Sequence, residues 1–159
     1  MSWSPKARLF WPIVLGSVCL DVLTKWWAES ALAEQVPHRV LGNVVRLTLG
    51  HNAGAAFGMS VGTYSRIAFS IFAIAGIAVI GAMYAKTPPD ARLRAGALGL
   101  IIGGAIGNLI NRFVSRAGVT DFIDVGTASW RFWTFNIADS CITVGAILLL
   151  WALKDESRT

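Results

Sequence analysis

Apolar positions along this chain run together far more often than they alternate. Residues 9–27, 67–85, 95–112 and 136–153 are predominantly apolar over 18 or 19 positions each. A hydrocarbon layer ~30 Å thick needs roughly 20 helical residues at ~1.5 Å rise apiece, so each stretch predicts a transmembrane helix. An even number of crossings leaves both termini on one side. Only "VRLTL", residues 45–49, alternates as a half-buried strand does, and it runs into the small-residue segment "GHNAGAAFGM" at 50–59. The pattern predicts a mainly α, polytopic membrane protein, a single membrane domain over residues 1–159 with two longer connectors at 28–66 and 113–135.

Composition agrees: 55% of the 159 residues are hydrophobic and 14% charged, with seven Trp and a mean hydropathy of +0.59. The net charge of +5 raises the question of nucleic acid. The sequence has no basic cluster and no interleaving of aromatic with basic residues, so no nucleic-acid partner is expected. Membrane phospholipid headgroups are the natural counterpart of these charges. Lys6, Arg8, Lys86, Arg92, Arg94, Lys154 and Arg158 crowd the tails and the 86–94 connector, whereas the long connectors carry Arg39, Arg46, Arg116 and Arg131. The density of cations per loop residue puts both termini in the cytoplasm. Lys6, Arg8, the following apolar run and "ALA" at 31–33 imitate a cleavable leader. Asp21, Lys25 and Glu29 between run and site make that spacing too long and too polar, so the first span is expected to be retained.

The usual metal and nucleophile signals are missing from the sequence. Cys19 and Cys141 lie inside spans without framework spacing, His38 and His51 lack ligand spacing, and neither HExxH nor GxSxG occurs. No metal or other cofactor is expected. In the third span, Ala95, Gly99, Gly103 and Gly107 follow one another at i,i+4, a stripe on which another helix can come close. Gly104, Asn108 and Arg112 form the adjoining row, and an amide and a guanidinium there favour an inward, polar role. Trp130, Phe132, Trp133 and Phe135 read as an interfacial aromatic belt.

The acids are the candidate chemistry. Asp21, Asp121 and Asp139 all fall near the outer ends of spans, and a carboxylate close to hydrocarbon costs on the order of 3 kcal/mol, which makes each a functional candidate. Two carboxylates brought together share one proton, and such a pair hydrolyses a peptide without a metal. Plainer readings stand beside this one. Asp21 and Lys25 have the i,i+4 spacing of a helix ion pair, Asp139 suits a helix N-terminus, and Asp121 and Asp124 both read equally well as solvated loop acids. Asn136, one turn before Asp139, is placed to orient it. A small proton-coupled four-span exporter is the alternative from another class, although its acids would belong near mid-bilayer. A purely structural scaffold leaves the acids unexplained.

Five segments, "DVLTK" (21–25), "NAGAAFG" (52–58), "GGAIGNLINR" (103–112), "VTDFIDV" (119–125) and "FNIADSCITVG" (135–145), together resemble in order and spacing the motifs of bacterial lipoprotein signal peptidase, or signal peptidase II. They extend from the first span to the fourth. The resemblance implies an aspartic endopeptidase of the bacterial inner membrane, with four transmembrane helices and a small extracytoplasmic β element, its active site facing outward. It would cut the signal peptide from diacylglyceryl-modified prolipoproteins just before the lipidated cysteine. By motif, the catalytic pair would be Asp121 and Asp139, a choice over Asp124 that only the resemblance makes. Asn52, Gly54, Asn108, Arg112, Asn136 and Ala138 would bind substrate or support the pair, and Asp21, Lys25 and Gly104 would brace the fold. Asn111 departs from the family, which commonly has Asp there.

Overall fold

A computed structural model describes residues 3–52, 55–56, 59–60 and 64–156. Its elements are α1 (Pro5–Ala31), β1 (His38–Leu41), β2 (Val45–Asn52), β3 (Ala55–Ala56), β4 (Met59–Ser60), α2 (Ser65–Lys86), α3 (Arg92–Val114), β5 (Val119–Val125) and α4 (Ile137–Glu156). All four helices have the length and hydropathy to cross a membrane. Each of α1, α2 and α3 runs past both ends of the apolar stretch that predicts it, because helical geometry continues into the polar flanks after the hydrocarbon-matched run ends. Pro5 opens α1, where its missing N–H costs nothing.

The bundle is built around α3. Half of its apolar window is buried against protein, compared with 6% for α2, whose Ile67, Ile71, Phe72 and Val79 face outward. Glycine spacing on α3 is the cause. A β-carbon on Gly103 would sit 2.7 Å from Ser17 Cβ, and one on Gly107 would strike the Asp21 carboxylate, so these glycines admit α1. Gly104, one position round, instead faces the Ala138 carbonyl and Ile142 of α4. Small residues thus replace the hydrophobic effect, which provides little attraction between helices in lipid. Phe10, Val14, Leu98, Ile102 and Leu149 form the core at the end away from the sheet.

At the opposite end β1, β2 and β5 make an antiparallel sheet in that order. Gly50 pairs with Asp121 and Asn52 with Val119, and Leu49 and Phe122 pack on Ala28 of α1, locking sheet to bundle. The strand expected at 45–49 therefore extends to Asn52. The loop reading of 119–125 is corrected: it is a strand, and Asp121 and Asp124 are both buried in it. Its first four residues are buried on both faces, which erases the polar alternation a sequence reading depends on.

Candidate active site

The site lies where β5, α3 and α4 converge. Asn136 immediately precedes α4 and Asp139 is in its first turn. The Asn136 N–H donates to Asp139 Oδ2 at 3.2 Å and the Asp139 N–H donates to Asn136 Oδ1 at 3.0 Å, a reciprocal cap that satisfies two N–H groups otherwise without a helical partner. The cap also orients chemistry. With its oxygen committed to the Asp139 N–H, Asn136 must turn Nδ2 the other way, where it donates to Asp121 Oδ1 at 2.7 Å. One amide thereby holds the Asp121 carboxylate and the main-chain N–H of Asp139.

A second amide reinforces the first. Asn108, projecting from α3, donates from Nδ2 to Asp139 Oδ1 at 2.8 Å and accepts Asn136 Nδ2 at 3.1 Å. Behind it stand Asp21 and Lys25 of α1: Lys25 Nζ donates to Asp21 Oδ2 and to Asn108 Oδ1, both at 2.8 Å. Asp21 Oδ1 accepts the Ala138 N–H at 2.9 Å, tying α1 to the start of α4. Ala138 is fully buried, and its carbonyl occupies the space that Gly104 leaves open. Asp21, Asn108, Asp121 and Asn136 are all buried, and Lys25 is only 4% exposed.

Burial raises the Asp121 carboxyl from its ordinary 3.8 to about 7, with the nearby Asp139 charge adding to the shift and the Asn136 and Asn52 amides and Lys25 opposing it. Asp121 and Asp139 share a cavity of about 330 Å³ with Asn52, Arg112 and Trp133. A neighbouring apolar groove of about 350 Å³ runs from Asp139 between Phe72 and Ile77 of α2 and Ile101 and Ala105 of α3. Three aromatic side chains of the expected belt, Phe132, Trp133 and Phe135, border the acid-lined cavity, and Trp130 and Trp133 are exposed.

Of the residues singled out from the sequence, Asp121, Asp139, Asn52, Asn108, Arg112 and Asn136 meet here, while Asp21, Lys25, Gly104 and Ala138 lie directly behind them. Gly54 lies outside the described residues. Asp124 points to the other face of β5, where Arg131 Nη2 contacts Oδ1 at 2.6 Å and Thr48 Oγ1 donates to Oδ2 at 3.1 Å. One residue escaped the sequence reading. Thr120 is fully buried, accepts Asn136 Nδ2 on its carbonyl and donates from Oγ1 to Glu29 at 2.5 Å. Asn111 Oδ1 accepts the Thr120 N–H at 2.6 Å. The family's Asp could accept that bond equally well, so the departure at 111 leaves this contact intact. Recognising 119–125 as a strand would have exposed Thr120.

Four apolar helices with Asp21, Lys25, Asn108, Asp121, Asn136 and Asp139 gathered at one end define a polytopic membrane protein with a polar cluster beside a cavity. The model of the family described as "Signal peptidase (SPase) II" matches residues 13–154. The lipoprotein signal peptidase of Hydrogenovibrio crunogenus is 38% identical over 84% of this chain and 77% of its own length, and that of Geobacter sulfurreducens 37% identical over 97% and 96%. A solved bacterial membrane enzyme superposes with a TM-score of 0.83 at 28% identity, covering 99% of this chain and 94% of that one. The chain belongs to the signal peptidase II family of aspartic peptidases and is a multi-pass bacterial membrane protein.

Proposed function

We propose that this protein cleaves signal peptides from diacylglyceryl-modified prolipoproteins, just before the lipidated cysteine, with Asp121 and Asp139 as its catalytic pair. The observation that carries the reading is that Asn136 binds both residues, its Nδ2 donating to the Asp121 carboxylate and its backbone N–H to the Asp139 carboxylate, so that the two acids line one cavity. Asp139 accepts one hydrogen bond on each carboxylate oxygen and sits in the first turn of α4, where the helix dipole favours an anion. Asp121, raised to about 7, holds the proton. The carboxylate of Asp139 takes a proton from water as the water oxygen attacks the scissile carbonyl carbon, while Asp121 gives its proton to the carbonyl oxygen. Collapse of the gem-diol returns a hydroxyl proton to Asp121, breaks the C–N bond and passes the Asp139 proton to the departing nitrogen. Every proton is accounted for by the two acids and one water.

The apolar groove beside Asp139 suits a hydrophobic signal-peptide segment, and the aromatic rim suits the depth of lipid headgroups. Substrate and enzyme then meet without either leaving the bilayer, among phospholipids and with no nucleic acid involved. The deciding experiment incubates purified protein with a diacylglyceryl-modified precursor and its unmodified counterpart. Only the modified precursor is expected to be cut, and chelators are expected to leave the rate unchanged. Equal cleavage of both, or loss of activity on chelation, would overturn the reading.

A further inference from the structure

We propose that Lys25 is a positioning residue for the acid pair, acting through Asn108 to set the direction of the hydrogen bonds that reach both aspartates. This goes beyond a structural brace, and it rests on Asp121 and Asp139 being the catalytic pair. An asparagine amide is nearly symmetric in shape, so only its partners decide which end points where. Asn108 has three: Lys25 Nζ at 2.8 Å, Asn136 Nδ2 at 3.1 Å and Asp139 Oδ1 at 2.8 Å. An ammonium has donors and no acceptor, so of the two ends of the Asn108 amide Lys25 can bond only the oxygen. The Asn108 NH2 then faces Asp139. Turning the amide over would set its NH2 against both donors and its oxygen against a carboxylate, three repulsive contacts in place of three bonds.

Charge gives Lys25 a second means of control. The charged groups that act on the pair are Asp21 and Lys25 from α1 and Arg112 from α3, with the two acids themselves from β5 and α4. Lys25 and Arg112 balance Asp21 and one further negative charge. This largely buried cluster is therefore neutral when Asp121 and Asp139 together carry a single negative charge, the state that has one acid and one base. Loss of the Lys25 charge favours an extra proton among the acids that remain, the pair and Asp21. Asp21 holds Lys25 in place while its other oxygen holds the Ala138 N–H, so the cation and the turn bearing Asp139 share one support.

The test is the pH dependence of kcat and KM for cleavage of a diacylglyceryl-modified precursor by Lys25→Met, Lys25→Gln and Lys25→Arg, each checked for folding by thermal melting. For Lys25→Met, kcat is expected to fall about 10- to 100-fold through lost orientation. Its KM should stay within about twofold, because the groove that takes the substrate is untouched. The whole pH profile should move to higher pH by on the order of one unit, because a nearby cation has gone. Lys25→Gln, which keeps an N–H donor, should move the profile with a smaller loss of kcat. Lys25→Arg should restore its position. Should Lys25→Met fail to fold, Lys25→Gln against Lys25→Arg makes the same comparison. A profile that stays at the wild-type pH in every folded variant, with activity following only the melting temperature, overturns the proposal and leaves Lys25 a brace. Asp139→Asn run in parallel separates the two readings: retained cleavage there defeats the catalytic pair, whereas abolished cleavage with unmoved Lys25 profiles defeats this inference alone.

Discussion

Asp121 and Asp124 are an odd number of residues apart, so a single strand sends them to opposite faces. Asp121 faces the cavity with a carboxyl raised to about 7; Asp124 is engaged by Arg131 and Thr48. Replacing Asp121 with Asn should abolish cleavage and also alter stability in a pH-dependent way. The native state holds the Asp121 proton more tightly than the unfolded chain does. That contribution to stability is fully present below about pH 4, declines as pH rises, and is lost above about 7. The variant cannot titrate there, so denaturant unfolding in detergent should show it gaining on wild type by on the order of a few kcal/mol between those limits. Cleavage by the wild type should fall on the alkaline side with a midpoint near 7 as the pair loses its shared proton, a midpoint that belongs to the pair jointly. Asp124→Asn should do the reverse: cost about 1–3 kcal/mol of stability through weakened charge-assisted bonds, and leave the folded fraction active. The acids were legible from the sequence as residue types near span ends, but only the motif resemblance chose between these two; residue pattern alone could not, because the choice depends on which face of an unseen strand each occupies.

At the level of elements, close approach is what α3 contributes. Gly103→Ala would drive a methyl into Ser17, and Gly104→Ala one into the Ala138 carbonyl, so each should lower stability by about 1–3 kcal/mol. Gly104→Ala should also reduce cleavage, because the backbone it displaces leads directly into Asp139. Gly81 of α2 has open space at its β-carbon, and Gly81→Ala should be neutral or stabilising by up to about 1 kcal/mol. Thermal unfolding of the three variants in one detergent distinguishes specific packing from a general effect of alanine. The glycine stripe was visible in the sequence because i,i+4 spacing survives without knowledge of the partner helix. The identity of the partners, α1 on one row and α4 on the next, was not, since both are equally apolar runs. The four spans were legible for the same reason that β5 was hidden: a long apolar run has one explanation, whereas a short strand buried on both faces looks like part of a loop. β1 was missed because all four of its residues are exposed, leaving no alternation at all.

The whole molecule has two unlike ends. One carries the acid pair, the sheet and the aromatic rim; the other carries the start of α1, the end of α4 and the 86–94 connector, where Lys6 Nζ donates to the carbonyls of Tyr84 and Thr87 at the end of α2. A cation there meets the negative end of a helix dipole and fastens α2 to α1, a stabilising use of charge that reinforces the basic character of that end. At the sheet end the charge excess is weaker than a residue count suggests, because Arg131 is paired with Asp124. Insertion follows the cation bias of short segments, so the termini are expected inside the cell and the acids outside. Both native cysteines are free and within spans, which allows a cysteine-less background in which Cys19 and Cys141 are replaced by Ala. On it, Ala117→Cys in the turn between α3 and β5 and Asp90→Cys in the basic connector are both exposed probes. A membrane-impermeant maleimide added to intact spheroplasts should label position 117 and reach position 90 only after lysis. Labelling of position 90 alone would invert the molecule and put the acids on the cytoplasmic side, where a precursor whose lipidated cysteine lies at the outer surface could not reach them.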